Sequence, residues 1–174
     1  QGGKITQIEA QFGDIAISAE QLQLQWQAGS LLQGKLQIQK ISAGQLHIHI
    51  SPSKHPSAPS TAPRSLALPV AVQVDQLQLG ELALFFNPKN PAPTWAAQNI
   101  AGHYQYKNGQ HRAAISALQM YQGQYQGQMQ LGAQSPFALQ AAASAQLPLP
   151  DMPAAPPLVA QLQASGNLLD IRAQ

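Results

Sequence analysis

The sequence predicts an all-β protein, an antiparallel sheet that is oily on one face and neutral but polar on the other. Three observations carry this. Apolar residues alternate with glutamine in Leu22-Gln23-Leu24-Gln25-Trp26, in Leu36-Gln37-Ile38-Gln39 and along Tyr121 to Leu131, and a strand sends successive side chains to opposite faces. Turn-forming residues recur about every ten residues, the rhythm of an antiparallel meander. Strict alternation would also scatter the apolar residues around a helix instead of gathering them on a stripe, so a helical reading fails.

Along the chain, the first fifty residues read as short strands: Ile5 to Phe12, Ile15 to Ser18, Gln21 to Trp26, Gly34 to Ile41 and Gln45 to Ile50. Gly13-Asp14, Ala28-Gly29-Ser30 and Gly44 punctuate them, since such residues turn a backbone cheaply. Leu31-Leu32 breaks the alternation and suits a short turn or helical corner. Residues 51–65 carry four prolines among small polar residues and cannot donate a regular ladder, so they read as a flexible excursion. The strand pattern resumes at Leu66, runs through Val70, Val72, Val74, Leu77 and Leu79, turns near Gly80 and continues from Leu82 to Phe86. A second proline cluster covers 87–93.

From Trp95 the strands lengthen: Ile100 to Tyr106, His111 to Met120, Tyr121 to Leu131 and Phe137 to Leu147. Asn108-Gly109 between two alternating runs predicts a hairpin, because both residues tolerate the positive φ of a type I′ turn. After a third proline-rich break over 148–157, Leu158 to Ile171 forms one or two strands. A sheet edge leaves backbone groups unpaired, and the first residue is Gln1, not Met. The sequence is therefore expected to be an excised piece of a longer chain that continues the sheet.

Composition narrows the function. Only 9% of residues are charged, against roughly 25% in ordinary globular proteins, while 29 of the 174 are glutamine. Amides supply the polarity. The net charge of +2 is spread singly, with no concentrated field to grip phosphate, so no nucleic-acid partner is expected. With no cysteine, disulfides and thiolate metal sites are excluded, which suits the bacterial periplasm or the cytosol equally. No apolar run is long enough to cross a bilayer as a helix.

The seven acids, Glu9, Asp14, Glu20, Asp75, Glu81, Asp151 and Asp170, stand apart in sequence, and the nucleophile-elbow, zincin, P-loop and dinucleotide motifs are absent. No enzyme activity, catalytic residue or cofactor is expected. His47-Ile48-His49 places two imidazoles on one strand face, the nearest approach to a metal motif, but no third ligand lies nearby in sequence. The plainer reading puts them on the solvent side in the role glutamine plays elsewhere, and no metal is expected. In YQGQYQGQ, Gly123 and Gly127 share a face with Tyr121 and Tyr125; they either relax the strand into curvature or open a gap for a ligand.

The opening block resembles the TamB family, periplasmic translocation and assembly factors of Gram-negative bacteria. The likeness rests on Ile15-Ala16-Ile17-Ser18-Ala19-Glu20-Gln21-Leu22-Gln23-Leu24-Gln25-Trp26, on Leu31-Leu32-Gln33-Gly34-Lys35-Leu36, on Ile38 to Ile50 and, past the proline-rich gap, on Leu68 to Gly80. AsmA-like proteins share this idiom. The resemblance implies a β-taco, an elongated, curved, U-shaped sheet open at its ends with an apolar inner groove. All of residues 1–174 would form one such segment. It also implies a chain anchored in the inner membrane by a segment outside this sequence, lying in the periplasm and reaching a TamA-type outer-membrane barrel through a missing C-terminal region. Family members are implicated in moving phospholipid across the periplasm and in outer-membrane protein assembly.

On this basis the lipid-groove lining is expected to include Ile15, Ile17, Leu22, Leu24, Trp26, Leu36, Ile38, Leu46, Ile48, Ile50, Val72, Val74, Leu77, Leu79, Tyr121, Tyr125, Met129 and Leu131, with the glutamine faces wet. The main alternative is an interaction scaffold whose open edges template outer-membrane β-barrel strands without carrying lipid. A plain β-solenoid or adhesin, and a closed lipocalin-like barrel, are further alternatives.

Overall fold

In the computed structural model, residues 2–51, 65–86, 92–149, 156–167 and 170–173 are described; most of the three proline-rich stretches lies outside them. Ten strands form one sheet in chain order: β1 (Gly2–Phe12), β2 (Ile15–Gln27), β3 (Lys35–Ile50), β4 (Ala71–Phe85), β5 (Trp95–Lys107), β6 (Gln110–Met120), β7 (Gly123–Gly132), β8 (Ala138–Leu147), β9 (Leu158–Asn167) and β10 (Asp170–Ala173). β1 and β10 are the free edges, so the described sheet is open and is not a closed barrel. At about 4.8 Å per strand, the stack extends roughly 45 Å.

All neighbours are antiparallel except β3 and β4, which run parallel with Lys35 opposite Ala71 and His49 opposite Phe85. The expected meander is thus broken once. Parallel neighbours need a crossover, and the long connection between Ile50 and Ala71 returns the chain to the start of β3. Leu31-Leu32 falls in a 3-10 helix, Ala28–Gln33, closed by Gly34 in the left-handed region. The Asn108-Gly109 hairpin has the expected positive φ at both residues, 53° and 70°.

Several expected breaks are bends inside continuous strands. β2 runs unbroken through Gln21, β3 through Gly44 and β4 through Gly80. Gln21 and Asn99 adopt φ of 55° and 52°. Gly44 and Gly80 lie opposite each other, between the pairs Ala43–Leu79 and Gln45–Glu81. The same line continues into β5 at Asn99, between Gln98 opposite Glu81 and Ile100 opposite Leu79. At these points two consecutive residues are turned to the same face. On β5, buried Ala97 and Ile100 flank exposed Gln98 and Asn99, and on β2, Ala19 and Leu22 flank exposed Glu20 and Gln21. A left-handed residue or bulge in a strand bends it and re-aims its side chains. Aligned from β2 to β5, these form a crease, continued on β6 by a register shift between Ile115 and Leu118. Pairing of β7 with β8 is regular throughout.

Candidate functional site

The crease keeps one face apolar. The partner series Leu24–Ile41–Leu77–Gly102–Ile115–Gly127–Ala143–Leu162 crosses eight strands. Beside it runs Trp26–Ile38–Val74–Tyr104–Ala113–Met129–Ala141–Ala164. Beyond the crease, Ala19–Leu46–Leu82–Ala97 and Ile17–Ile48–Leu84–Trp95 extend the same face. Apart from a short segment at one end, no second layer covers it among the described residues: each strand makes its substantial contacts with its sheet neighbours. Among the described residues no large side chain is fully buried, and Ile5, Phe12, Ile15, Leu24, Ile115, Met129 and Leu162 keep 36% or more of their surface exposed. An ordinary sheet hides this face in a core.

Register places Ile15, Ile17, Leu22, Leu24, Trp26, Leu36, Ile38, Leu46, Ile48, Ile50, Val72, Val74, Leu77, Leu79, Tyr125, Met129 and Leu131 together on this face. Tyr121 is elsewhere. It sits in the turn between β6 and β7 with φ 48° and is 73% exposed, because the strand restarts only at Gly123. The ring of Tyr125 leans over Gly123, where an added Cβ would meet it at 3.0 Å. Ile41, Leu82, Leu84, Trp95, Ile100, Tyr104 and Tyr106 were missed. Their signal is a three-residue step between apolar positions, as in Ile38 to Ile41, Ala43 to Leu46, Leu79 to Leu82 and Ala97 to Ile100, the sequence trace of two side chains leaving by one face.

One end of this face is crossed by a strap. Ser65 bridges to Gln134, and the Leu66 N–H donates to the Ala133 carbonyl at 2.8 Å. His111 Nε2 lies 3.0 Å from the Leu66 carbonyl and Nδ1 lies 2.7 Å from the Tyr104 hydroxyl. A carbonyl only accepts, so Nε2 carries the proton and, in the neutral ring, Nδ1 accepts from Tyr104. Burial, with a smaller contribution from Tyr106, pushes the Tyr104 hydroxyl above its ordinary value.

The opposite face is amide-rich. Gln37 and Gln73 both donate to Asp75. His47 and His49 lie on this side: His49 stacks on Phe85 with centroids 4.3 Å apart, and His47 Nε2 is 4.0 Å from Glu81 Oε1. They occupy positions that glutamine fills on other strands. Among the described residues, no group of three His, Cys, Asp or Glu side chains is placed to hold a metal.

Fold and site define an open, single-layer β-sheet protein with one continuous apolar face. The family model for the TamB N-terminal domain matches residues 1–105, and the chain belongs to that family, the translocation and assembly module of the cell envelope. The match takes in β1 to most of β5. Neither the comparison with curated proteins nor that with solved structures found a match.

Proposed function

We propose that this chain is a periplasmic β-taco segment of an envelope-spanning protein, and that its apolar face is a groove conducting phospholipid acyl chains between inner and outer membrane. The observation that carries this reading is the uncovered apolar face, continuous across eight strands and bent along one crease. Contiguous exposed apolar surface on this scale marks an interaction site. Each methylene removed from water is worth about 0.8 kcal/mol, so an acyl chain stepping into water meets a barrier on the order of 10 kcal/mol. An unbroken oily track lowers it. A lining without fixed charges lets the chain slide instead of holding it at one point. In the full-length protein, an inner-membrane anchor and a TamA-type outer-membrane barrel would meet the two ends of the track.

Photo-crosslinkers at Leu24, Leu46, Ile50 and Gln23, followed by mass spectrometry, test this. Phospholipid adducts are expected at the three apolar positions and not at Gln23. Adducts at Gln23 alone, or none anywhere with no lipid in organic extracts of the purified protein, would overturn the reading.

A second reading has its own support. The free β1 edge, exposed along nearly its whole length, presents unpaired backbone groups of the kind that template strands of a β-barrel client. Edge crosslinks to client barrels in a protein that carries no lipid would favour it.

A further inference from the structure

Charge is divided by the crease. Lys4 opposite Gln23, Lys35 opposite Ala71, Lys40 opposite Gln25 and Gln76, Lys107 opposite Gln110 and Arg112 opposite Gln105 lie on one side of it. On that side Asp75 is the one acid among the described residues, and Gln37 and Gln73 already donate to it. Glu9, Asp14, Glu20 and Glu81 lie on the other side, where no described residue is Lys or Arg. Pairing with glutamines puts the cations on the amide face, and among the described residues none of the five is ion-paired. An apolar corner borders this basic area. The 3-10 helix Ala28–Gln33 leads directly into Lys35, and the Gly34 N–H returns to the Leu31 carbonyl at 3.0 Å, which holds the corner in shape. Leu32 projects from it 94% exposed, more than any other large hydrophobic side chain among the described residues. Leu68, also exposed, comes shortly before Ala71, whose N–H donates to the Gly34 carbonyl.

We propose that this part of the chain docks on an anionic phospholipid bilayer, with Leu32 entering the interface and the cations resting on the headgroups. Two independent observations select that occupant. A scattered exposed leucine is ordinary, but peripheral membrane binding needs apolar insertion and charge attraction at one place, because either alone is weak and reversible. Here both occur at one end of β1 to β6, within about 24 Å. The charges complement such a surface: each Lys or Arg near an anionic leaflet raises partition by about fivefold. The acidic wall beyond the crease is turned away by the same field, so the sheet docks in one orientation. An acidic protein would engage the cations without needing a bare leucine beside them. Docking brings the lip of the apolar face at Trp26 and Leu36 toward the bilayer. The inference does not rest on lipid entering that face, since the docking side chains lie off it.

The chain has no cysteine, so Leu32→Cys carries a single environment-sensitive fluorophore, with Gln146→Cys, exposed near the opposite end of the strands, as its control. Purified protein is mixed with vesicles of phosphatidylcholine alone or with about 30% phosphatidylglycerol, and binding is read by co-sedimentation. Polyglutamate is the companion probe. The protein is expected to bind the mixed vesicles, less so as salt rises, with a blue shift of the Leu32→Cys label and none of the Gln146→Cys label. Lys35→Gln with Lys107→Gln is expected to weaken binding on the order of tenfold, and Leu32→Ser by several-fold. Glu9→Gln with Glu20→Gln should leave it intact. Lipid adducts at Leu24, Leu46 and Ile50 should be the same in all these variants, so failure of docking and failure of the lipid track are read apart. No vesicle binding, equal binding to phosphatidylcholine alone, indifference to the lysine and Leu32 substitutions, or an equal shift of the Gln146→Cys label would each overturn the proposal. Binding of polyglutamate without binding of vesicles would do so too, assigning the cations to an acidic protein.

Discussion

A Cβ placed on Gly80 would stand 2.5 Å from the carbonyl oxygen of Gly44, its neighbour across the parallel β3–β4 pair. The atoms an added Cβ would meet there are backbone, which cannot swing aside as the end of a flexible side chain does. The bend that keeps Leu79 and Leu82 on one face depends on that approach.

Gly80→Ala is therefore expected to cost about 1–3 kcal/mol, as overpacking against backbone does. Gly29→Ala, where nothing lies within 4 Å of the added atom, should change stability little. Urea denaturation of the two variants measures the difference. Equal midpoints would show that the crease does not need the glycine.

Asn99 holds φ 52° within β5 and its side-chain amide donates to Gln119 Oε1 at 2.6 Å. A β-branched residue is poorly tolerated at positive φ. Asn99→Val should lower stability by about 1–3 kcal/mol, and Asn99→Gly much less, since glycine keeps the conformation and loses only the hydrogen bond. Thermal unfolding of both variants separates backbone strain from the lost contact.

His111 ties the strap to the sheet. Replacing it with alanine removes the donor to the Leu66 carbonyl and the acceptor for Tyr104 together, a loss of about 1–3 kcal/mol where the groups stay shielded from water. Hydrogen exchange at the Leu66 amide, which donates to Ala133, should speed up, while amides in the middle of β8 keep their protection.

The raised Tyr104 hydroxyl sets a pH dependence. Below the ordinary value of 10.0 the ring is neutral in folded and unfolded chains alike, and its contribution is fully present. As pH rises past 10.0 the unfolded chain releases this proton before the folded one, so the folded state loses stability until Tyr104 ionises in place. Tyr104→Phe should flatten the alkaline limb of a stability-versus-pH curve. An unchanged limb would assign that loss to other groups.

Much of the sheet is legible in the residues themselves. The alternation in Leu22 to Trp26 and Leu36 to Ile38 identifies both strand and face, because the pleat has a period of two whatever the strand packs against. In the sequence Gly44 and Gly80 read as turns, whereas β3 and β4 run on through them. A glycine that reverses the chain and one that lets a neighbouring backbone approach look alike until the neighbour is known. The same limit hid Ile41, Leu82 and Ile100, whose face depends on how many residues the crease takes up on each strand. It also hid the strap, since nothing near Leu66 in sequence announces Ala133 or His111.

The sequence by itself determined that the chain is all β, that one face is oily and the other amide-rich, and that it resembles the family whose N-terminal model it matches. These follow from local periodicity and composition, which act residue by residue. Only the tertiary structure decided that β3 and β4 run parallel, that the bends of β2 to β5 align into one crease, and that the segment at Leu66 is tied to Ala133 and His111. Each of these is a matter of register between distant segments. Register is set by the combined packing of neighbouring strands, and no single strand encodes it.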